Sequence, residues 1–300
     1  MEIALMMKLG IIGGSGLYRL EGLENVESLT VKTPFGAPSD ALLHGRLNGR
    51  ELYFIPRHGQ GHRLLPGEIP HRANIFALKE LGCAWVLSVS AVGSLREGLQ
   101  PRDVVLPDQY YDRTKSAREH TFFGDGIVAH VSFGEPTCGV FRKLVAGVAA
   151  DVLKQLGMAS RLFPSGTYVN MEGPAFSTRA ESETYRKFGF DVIGMTSLAE
   201  AKLCREAEMC YQAMAMVTDF DCWHRTEEEV SVEAIIGHLQ SNVGFSKQVI
   251  GELARRLPDA RTCACTTALK YAIMTDPAAI PTAVRKSLAP LIGRYLPPPK

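Results

Sequence analysis

What this 300-residue chain lacks closes off several classes of function before any motif is read. It has no charge excess. With 33 basic against 32 acidic residues the net charge is +1, so nothing electrostatic favours nucleic acid or an anionic membrane as partner. It has no long apolar run either. The apolar opening Ile3–Met7 is interrupted by Lys8 and runs into Gly13-Gly14, too short for a span or a signal core. That opening reads as a leader into the first strand, which makes a cytoplasmic location the expectation. Internal repeats, heptads and low-complexity blocks are missing. Gly-Lys-Ser/Thr never occurs, which removes the Walker loop. The cluster Gly10-Ile-Ile-Gly13-Gly14-Ser15-Gly16 lacks the G-x-G-x-x-G spacing, and residues 17–22 do not open an amphipathic helix, which argues against NAD or FAD. The seven cysteines and eight histidines show no local zinc spacing, so no metal and no organic cofactor is expected.

What is present is an ordinary globular composition, 46% hydrophobic and 22% charged, on a chain long enough for a sizeable core. Strand-like and helix-like segments alternate, which favours an α/β fold. We expect a single domain over residues 1–300, a central mixed β-sheet flanked by helices, with 1–8 and 296–300 loose. Strands are expected at Leu9–Ile12, Leu52–Ile55, Trp85–Val89, Val104–Leu106, Thr167–Met171, Asp191–Met195 and in a run ending at Asp219. Helices are expected over Arg72–Leu81, Phe141–Leu156, Leu198–Glu208, Val232–Arg256 and Thr266–Met274. Two capping boxes, Thr178-x-x-Glu181 and Ser197-x-x-Glu200, mark helix starts.

Polar residues gather at the carboxyl ends of these strands, the edge where α/β sheets bind ligands. They are Ser15, Arg57, His58, Ser90, Thr196 and Asp219. Gly13-Gly14-Ser15-Gly16 offers backbone N–H groups and a hydroxyl with little bulk. Arg57 offers a donor fork suited to phosphate, His58 a further donor, and Thr196 stands before a helix N-terminus that favours an anion. Together they describe a site for one phosphate. Asp219 and Asp221 stand two apart beside Phe220, Cys222 and Trp223. Crowded carboxyls in a partly dry pocket raise at least one pKa, which keeps a proton available near neutral pH. Taken singly, the Asp pair also fits a turn, and an Arg-His pair also fits a solvated face.

Further segments, in consistent order, give the pattern a family. Gly10-Ile-Ile-Gly-Gly-Ser-Gly-Leu17, Thr33–Asp40, Arg57-His-Gly59, Gly93-Ser-Leu-Arg96, Glu172-Gly-Pro174, Ser177–Glu181 and Thr218-Asp-Phe-Asp-Cys-Trp223 resemble the 5′-methylthioadenosine phosphorylases. These are a branch of the trimeric purine nucleoside phosphorylase superfamily, and the resemblance spans roughly Leu9 to Leu239. It implies a nucleoside phosphorylase-like fold and cleavage of methylthioadenosine by inorganic phosphate as co-substrate. It places phosphate on Ser15, Arg57, His58, Ser90, Ala91 and Thr196. Met195 would lie on the ribose and Phe176 on the purine, with Asp219 and Asp221 facing N7 and the 6-amino group. His62, Val232 and Ile236 would line the 5′ end, with His130 arriving from a neighbour in a homotrimer or a dimer of trimers.

The sequence departs from the family at Gly194, where mammalian members have Asn, at Ala175 in place of a more usual Arg, and at Asn170. A 6-oxopurine or methylthioinosine phosphorylase of the same fold is the nearest alternative, expected to carry Asn in place of Asp219. A non-catalytic nucleoside or phosphate sensor is the alternative of another class. Cys263-Ala-Cys265, and Cys138 with Cys204, are candidate bridges, against free thiols in a reducing compartment.

Overall fold

The computed structural model describes residues 6–17, 20–115, 120–224 and 232–296, with Ser15 and residues 232–241 described through their backbone alone. Eleven strands among these form one mixed sheet. They are β1 (Lys8–Gly13), β2 (Glu24–Leu29), β3 (Leu42–Leu47), β4 (Arg50–Pro56), β5 (Cys83–Ser94), β6 (Val104–Val105), β7 (Gln109–Asp112), β8 (Leu162–Phe163), β9 (Thr167–Asn170), β10 (Val192–Gly194) and β11 (Cys210–Asp219). The helices are α1 (His71–Glu80), α2 (Gly139–Gln155), α3 (Arg179–Lys187), α4 (Ser197–Glu206), α5 (Val232–Arg256), α6 (Thr282–Ser287) and α7 (Ala289–Ile292).

Apolar side chains on both faces make β5 and β11 central strands, because only burial from two sides accommodates them. The two run parallel, with Cys210 opposite Trp85 and Asp219 opposite Gly93. On the other edge of β5, β1 pairs in parallel as far as Ser88, and β10 pairs antiparallel at Gly93 and Ser94. Val89–Val92 therefore have no strand partner on that edge among the described residues. That gap is where the site opens.

Two apolar layers flank the sheet. On one face Phe141, Val145, Val148 and Val152 of α2 recur at helical spacing and pack with Phe245, Val249 and Leu253 of α5 against Leu9, Trp85 and Met214. On the other, Ile75, Phe76 and Leu78 of α1 meet Ala201 and Leu203 of α4 and Leu291 and Ile292 of α7. Phe141 is fully buried, and truncating such a ring to Ala costs about 3–5 kcal/mol.

The capping box at Thr178 forms as expected. Its hydroxyl accepts from Glu181 N–H at 3.2 Å, and the Glu181 carboxylate accepts from Thr178 N–H at 2.9 Å. The one at Ser197 does not form. Glu200 is claimed by Arg57, and the helix start is instead met by Asn170, whose Oδ1 accepts from Leu198 N–H at 3.0 Å. The helix expected over Thr266–Met274 is a short 3-10 turn, Ala264–Thr267, followed by further turns. Its two threonines, β-branched and able to bond their own backbone, suit a turn better than a helix. All seven cysteines are unbridged, and Cys204 packs with Cys83 on the opposite face from Cys138. Residues 297–300 and most of the expected leader lie outside the described residues. No helix among the described residues is long and apolar enough to cross a membrane.

Candidate active site

The carboxyl ends of β1, β4, β5, β10 and β11 converge on one cavity of about 610 Å³. Register brings them there. Gly13 at the end of β1 lies opposite Pro56 at the end of β4, and Arg57 N–H then donates to Gly13 O at 3.0 Å. Of the residues expected from sequence, Arg57, His58, His62, Ser90, Ala91, Phe176, Met195, Thr196, Asp219 and Asp221 all line this one cavity. The side chains of Ser15, Val232 and Ile236 lie outside the described residues. Gly14 and Gly16 on either side of Ser15 do line it, as do Asn242, Val243 and Ser246 farther along α5. His130 does not. It borders a second cavity of about 460 Å³ with Phe123, Lys202 and Glu206.

Arg57 is held differently from a simple anion-binding cation. The residue is 3% exposed and its Nε donates to the buried Glu200 carboxylate at 2.6 Å. Nη2 donates to Ser88 Oγ at 2.7 Å and Nη1 to Val89 O at 3.0 Å. Burial opposes the charge, but the Glu200 carboxylate beside it outweighs that and raises the Arg57 pKa. Nη2 also reaches Glu200 Oε2 at 3.4 Å, so the anion end carries a neutralised pair, with one Nη1 N–H of the five donors of the fork left over among the described residues. Hydroxyls and N–H groups supply the rest. Ser90 Oγ is buried with no hydrogen-bond partner among the described residues, and Thr196 makes no capping bond to α4.

His58 is neutral at physiological pH, because burial lowers its pKa to about 4. Nδ1 lies 2.9 Å from Leu64 O, which fixes the N–H on that nitrogen and leaves Nε2 as an acceptor. The expected donor is thus an acceptor, suited to a P–O–H group. Its ring stacks on His62 with centroids 4.2 Å apart.

At the other end Asp219 accepts two hydrogen bonds, from Thr218 Oγ1 at 2.7 Å and from Asp221 N–H at 2.8 Å. Gly93 permits this approach, since a Cβ there would stand 2.9 Å from Asp219 Oδ1. Asp221 sits at φ 54°, a left-handed conformation that Asp tolerates. Burial raises its pKa, opposed by the Ser182 hydroxyl and reinforced by the charge of Asp219. The Thr218 hydroxyl has one proton and two acceptors in reach, Asp219 Oδ2 and Val92 O at 3.3 Å. When Thr218 turns to Val92, its oxygen accepts from a protonated Asp219, so this carboxyl is accommodated in either protonation state.

Between the two ends the wall is apolar: Met195, Met171, Val243 and Phe176, a residue 54% exposed. Gly194 also lines it, and its lack of a side chain has a tertiary reason. A Cβ there would lie 2.0 Å from the hydroxyl of Tyr168, a buried ring occupying that space. Asn170 is not part of the wall; its amide is used at the start of α4. Sequence reasoning missed Glu200, disguised as a capping residue, and Thr218, which stood beside Asp219 in a motif already singled out.

Comparison with known proteins gives this geometry relatives. The model of a family described as the phosphorylase superfamily matches residues 8–255. An S-methyl-5′-thioadenosine phosphorylase of Geobacter sulfurreducens is 51% identical over 96% of this chain and 99% of its own. One from Gloeobacter violaceus is also 51% identical, over 96% of each chain. Among solved structures, a methylthioadenosine phosphorylase from an antarctic soil metagenomic library superposes with a TM-score of 0.86 at 46% identity, over 96% of this chain and 99% of that one. The methylthioadenosine phosphorylase of Schistosoma mansoni in complex with adenine gives 0.79 at 32%, over 96% and 98%.

Proposed function

The chain belongs to the phosphorylase superfamily, and from that premise we propose that it cleaves 5′-methylthioadenosine with inorganic phosphate, releasing adenine and 5-methylthioribose 1-phosphate. The observation that carries this is one cavity with Arg57, Ser90, Thr196 and the glycines beside Ser15 at one end, paired carboxyls at the other and an apolar wall between. The names of relatives at about half identity over nearly the whole chain support the same substrate.

The chemistry follows from the ends. A phosphate oxygen bonds to C1′ as the C1′–N9 bond breaks, and that electron pair leaves with the purine. Glycine N–H groups, Ser90 and Thr196 hold the anion, and His58 Nε2 accepts a hydrogen bond from its remaining P–O–H group, which keeps its proton. Charge that builds on the purine is relieved by a proton delivered to N7. Asp219 delivers it, and Thr218 receives or returns the hydrogen bond as that proton moves. Asp221 accepts from the 6-amino group. No covalent intermediate on the protein is required. Phosphate and a nucleoside suffice as partners, in a cytoplasmic homotrimer in which His130 completes a neighbour's 5′ pocket.

Substrate comparison tests the base site. A 6-oxopurine sets an oxygen against Asp221, and leaving such a buried pair unmatched costs roughly 1–3 kcal/mol, about ten- to a hundredfold in rate. Initial rates should favour methylthioadenosine over methylthioinosine by that factor. Equal rates would move the reading to a 6-oxopurine phosphorylase.

A further inference from the structure

Four of the seven cysteines meet far from the cavity just described. Cys138, Cys210, Cys263 and Cys265 come from three separate parts of the chain, and their sulfurs all lie within 4.8 Å of one another. Each is placed by its own element. Cys138 is the N-cap of α2, where its Sγ accepts from Phe141 N–H at 3.4 Å, and its own N–H donates to Tyr211 O at 3.0 Å. Cys210 opens β11. Cys263 caps the 3-10 turn Ala264–Thr267, which carries Cys265. Three of the four are buried, and Cys263 is half-buried.

We propose that these four sulfurs form a structural site for a single zinc ion. Four thiolates about 2.3 Å from a tetrahedral ion stand about 3.8 Å apart, so the observed grouping needs only small side-chain movements to close around one. Cys210 and Cys263 have their sulfurs 3.2 Å apart. An iron–sulfur cluster would hold its cysteines wider, with irons and sulfides between them. An all-sulfur donor set disfavours magnesium, calcium and manganese, which take oxygen. With four protein ligands and no open position, the ion would be structural rather than catalytic. Binding is redox-neutral: four thiols give up their protons and the zinc gains four thiolates. The N–H of Phe141 then bonds to one ligand sulfur, as supporting groups do around such ions.

The location fits that role. Cys210 and Asp219 are the two ends of β11, about 30 Å apart in a ten-residue strand. The ion would touch no reacting atom. It would clamp the segment following α5 onto β11 and α2, and α5 is the helix that brings Asn242, Val243 and Ser246 to the cavity. The expectation of no metal rested on local spacing, and Cys263-x-Cys265 is the only close pair. The other two ligands arrive through the fold.

Elemental analysis of the full chain, purified under reducing conditions without chelator and then exposed to zinc and desalted, should find one zinc per chain. Replacing zinc by cobalt should give the visible bands of a tetrahedral ion with thiolate charge transfer in the near ultraviolet. Cys263→Ser, at the half-buried position, should fold and lose both signals. A strong chelator should lower the melting temperature of wild type but not of this variant, with adenine release at low temperature little changed. The proposal is overturned by well under one zinc per chain together with no cobalt spectrum in the wild type. It is equally overturned by full metal retention in Cys263→Ser, or by non-reducing mass spectrometry of freshly purified protein that finds the four cysteines in disulfides.

Discussion

Replacing Glu200 by Gln removes one charge from a pair that is almost wholly buried, with Glu200 1% and Arg57 3% exposed and their closest atoms 2.6 Å apart. Breaking such a pair by removing one partner costs about 3–5 kcal/mol, because the other charge stays buried. The lower end is expected here. Gln keeps an oxygen for Arg57 Nε, and Ser88 Oγ and Val89 O still accept from the guanidinium. The unpaired cation then lines the cavity with nothing to balance it, and a bound phosphate supplies the missing negative charge. Phosphate should therefore stabilise Glu200→Gln more than the wild type. A tenfold gain in phosphate affinity adds about 1.4 kcal/mol at a given concentration. The assay is unfolding of both proteins with and without phosphate, using chloride at matched ionic strength. A variant as stable as wild type without phosphate would refute the energetic account of the pair. Equal stabilisation of both proteins by phosphate would place Arg57 beyond the anion's reach.

Asp219→Asn keeps the shape but cannot give up the proton, so kcat on methylthioadenosine should fall roughly 10²–10⁴-fold while the preference over methylthioinosine narrows; steady-state rates on both substrates check it. Gly194→Ala drives a methyl into the Tyr168 hydroxyl and should cost about 1–3 kcal/mol by denaturant unfolding, with part of the loss recovered when Tyr168→Phe removes that hydroxyl in the same chain. His71 is buried, and that burial lowers its pKa from 6.5 to about 4. A depressed value means stability present above pH 6.5 and lost as pH falls toward 4, on the order of 3 kcal/mol, which His71→Gln should flatten in a pH series of melting curves. Burial moves Glu206 the other way, from 4.5 to about 7, so its contribution is present below pH 4.5 and lost as pH rises through 7, and Glu206→Gln should remove that loss.

Local signals were legible wherever neighbours in sequence are neighbours in space. The period of Phe141, Val145, Val148 and Val152 gave α2, the box at Thr178 gave the start of α3, and Gly-flanked polar residues after apolar runs marked the strand ends that meet at the cavity. Where a residue's partner lies far along the chain, the local pattern misled. Ser197-x-x-Glu200 has the same spelling as a capping box, but Arg57, 143 residues away, takes Glu200. The neutralisation of Arg57 and the acceptor role of His58 depend on Glu200 and on Leu64 O, neither of which a motif specifies. Gly194 looked like a lost side chain until Tyr168 was seen filling its place. The edge hairpin of β2 and β3 was not expected, since the residues of β2 are mostly exposed and carry no apolar alternation.

The central claim is that phosphate, not water, takes the ribose. Adenine release from methylthioadenosine should rise from zero in carefully phosphate-depleted buffer to saturation as phosphate is added, with phosphorus NMR showing one new sugar 1-phosphate for each adenine. Adenine released at the same rate without phosphate, leaving free methylthioribose, would contradict it.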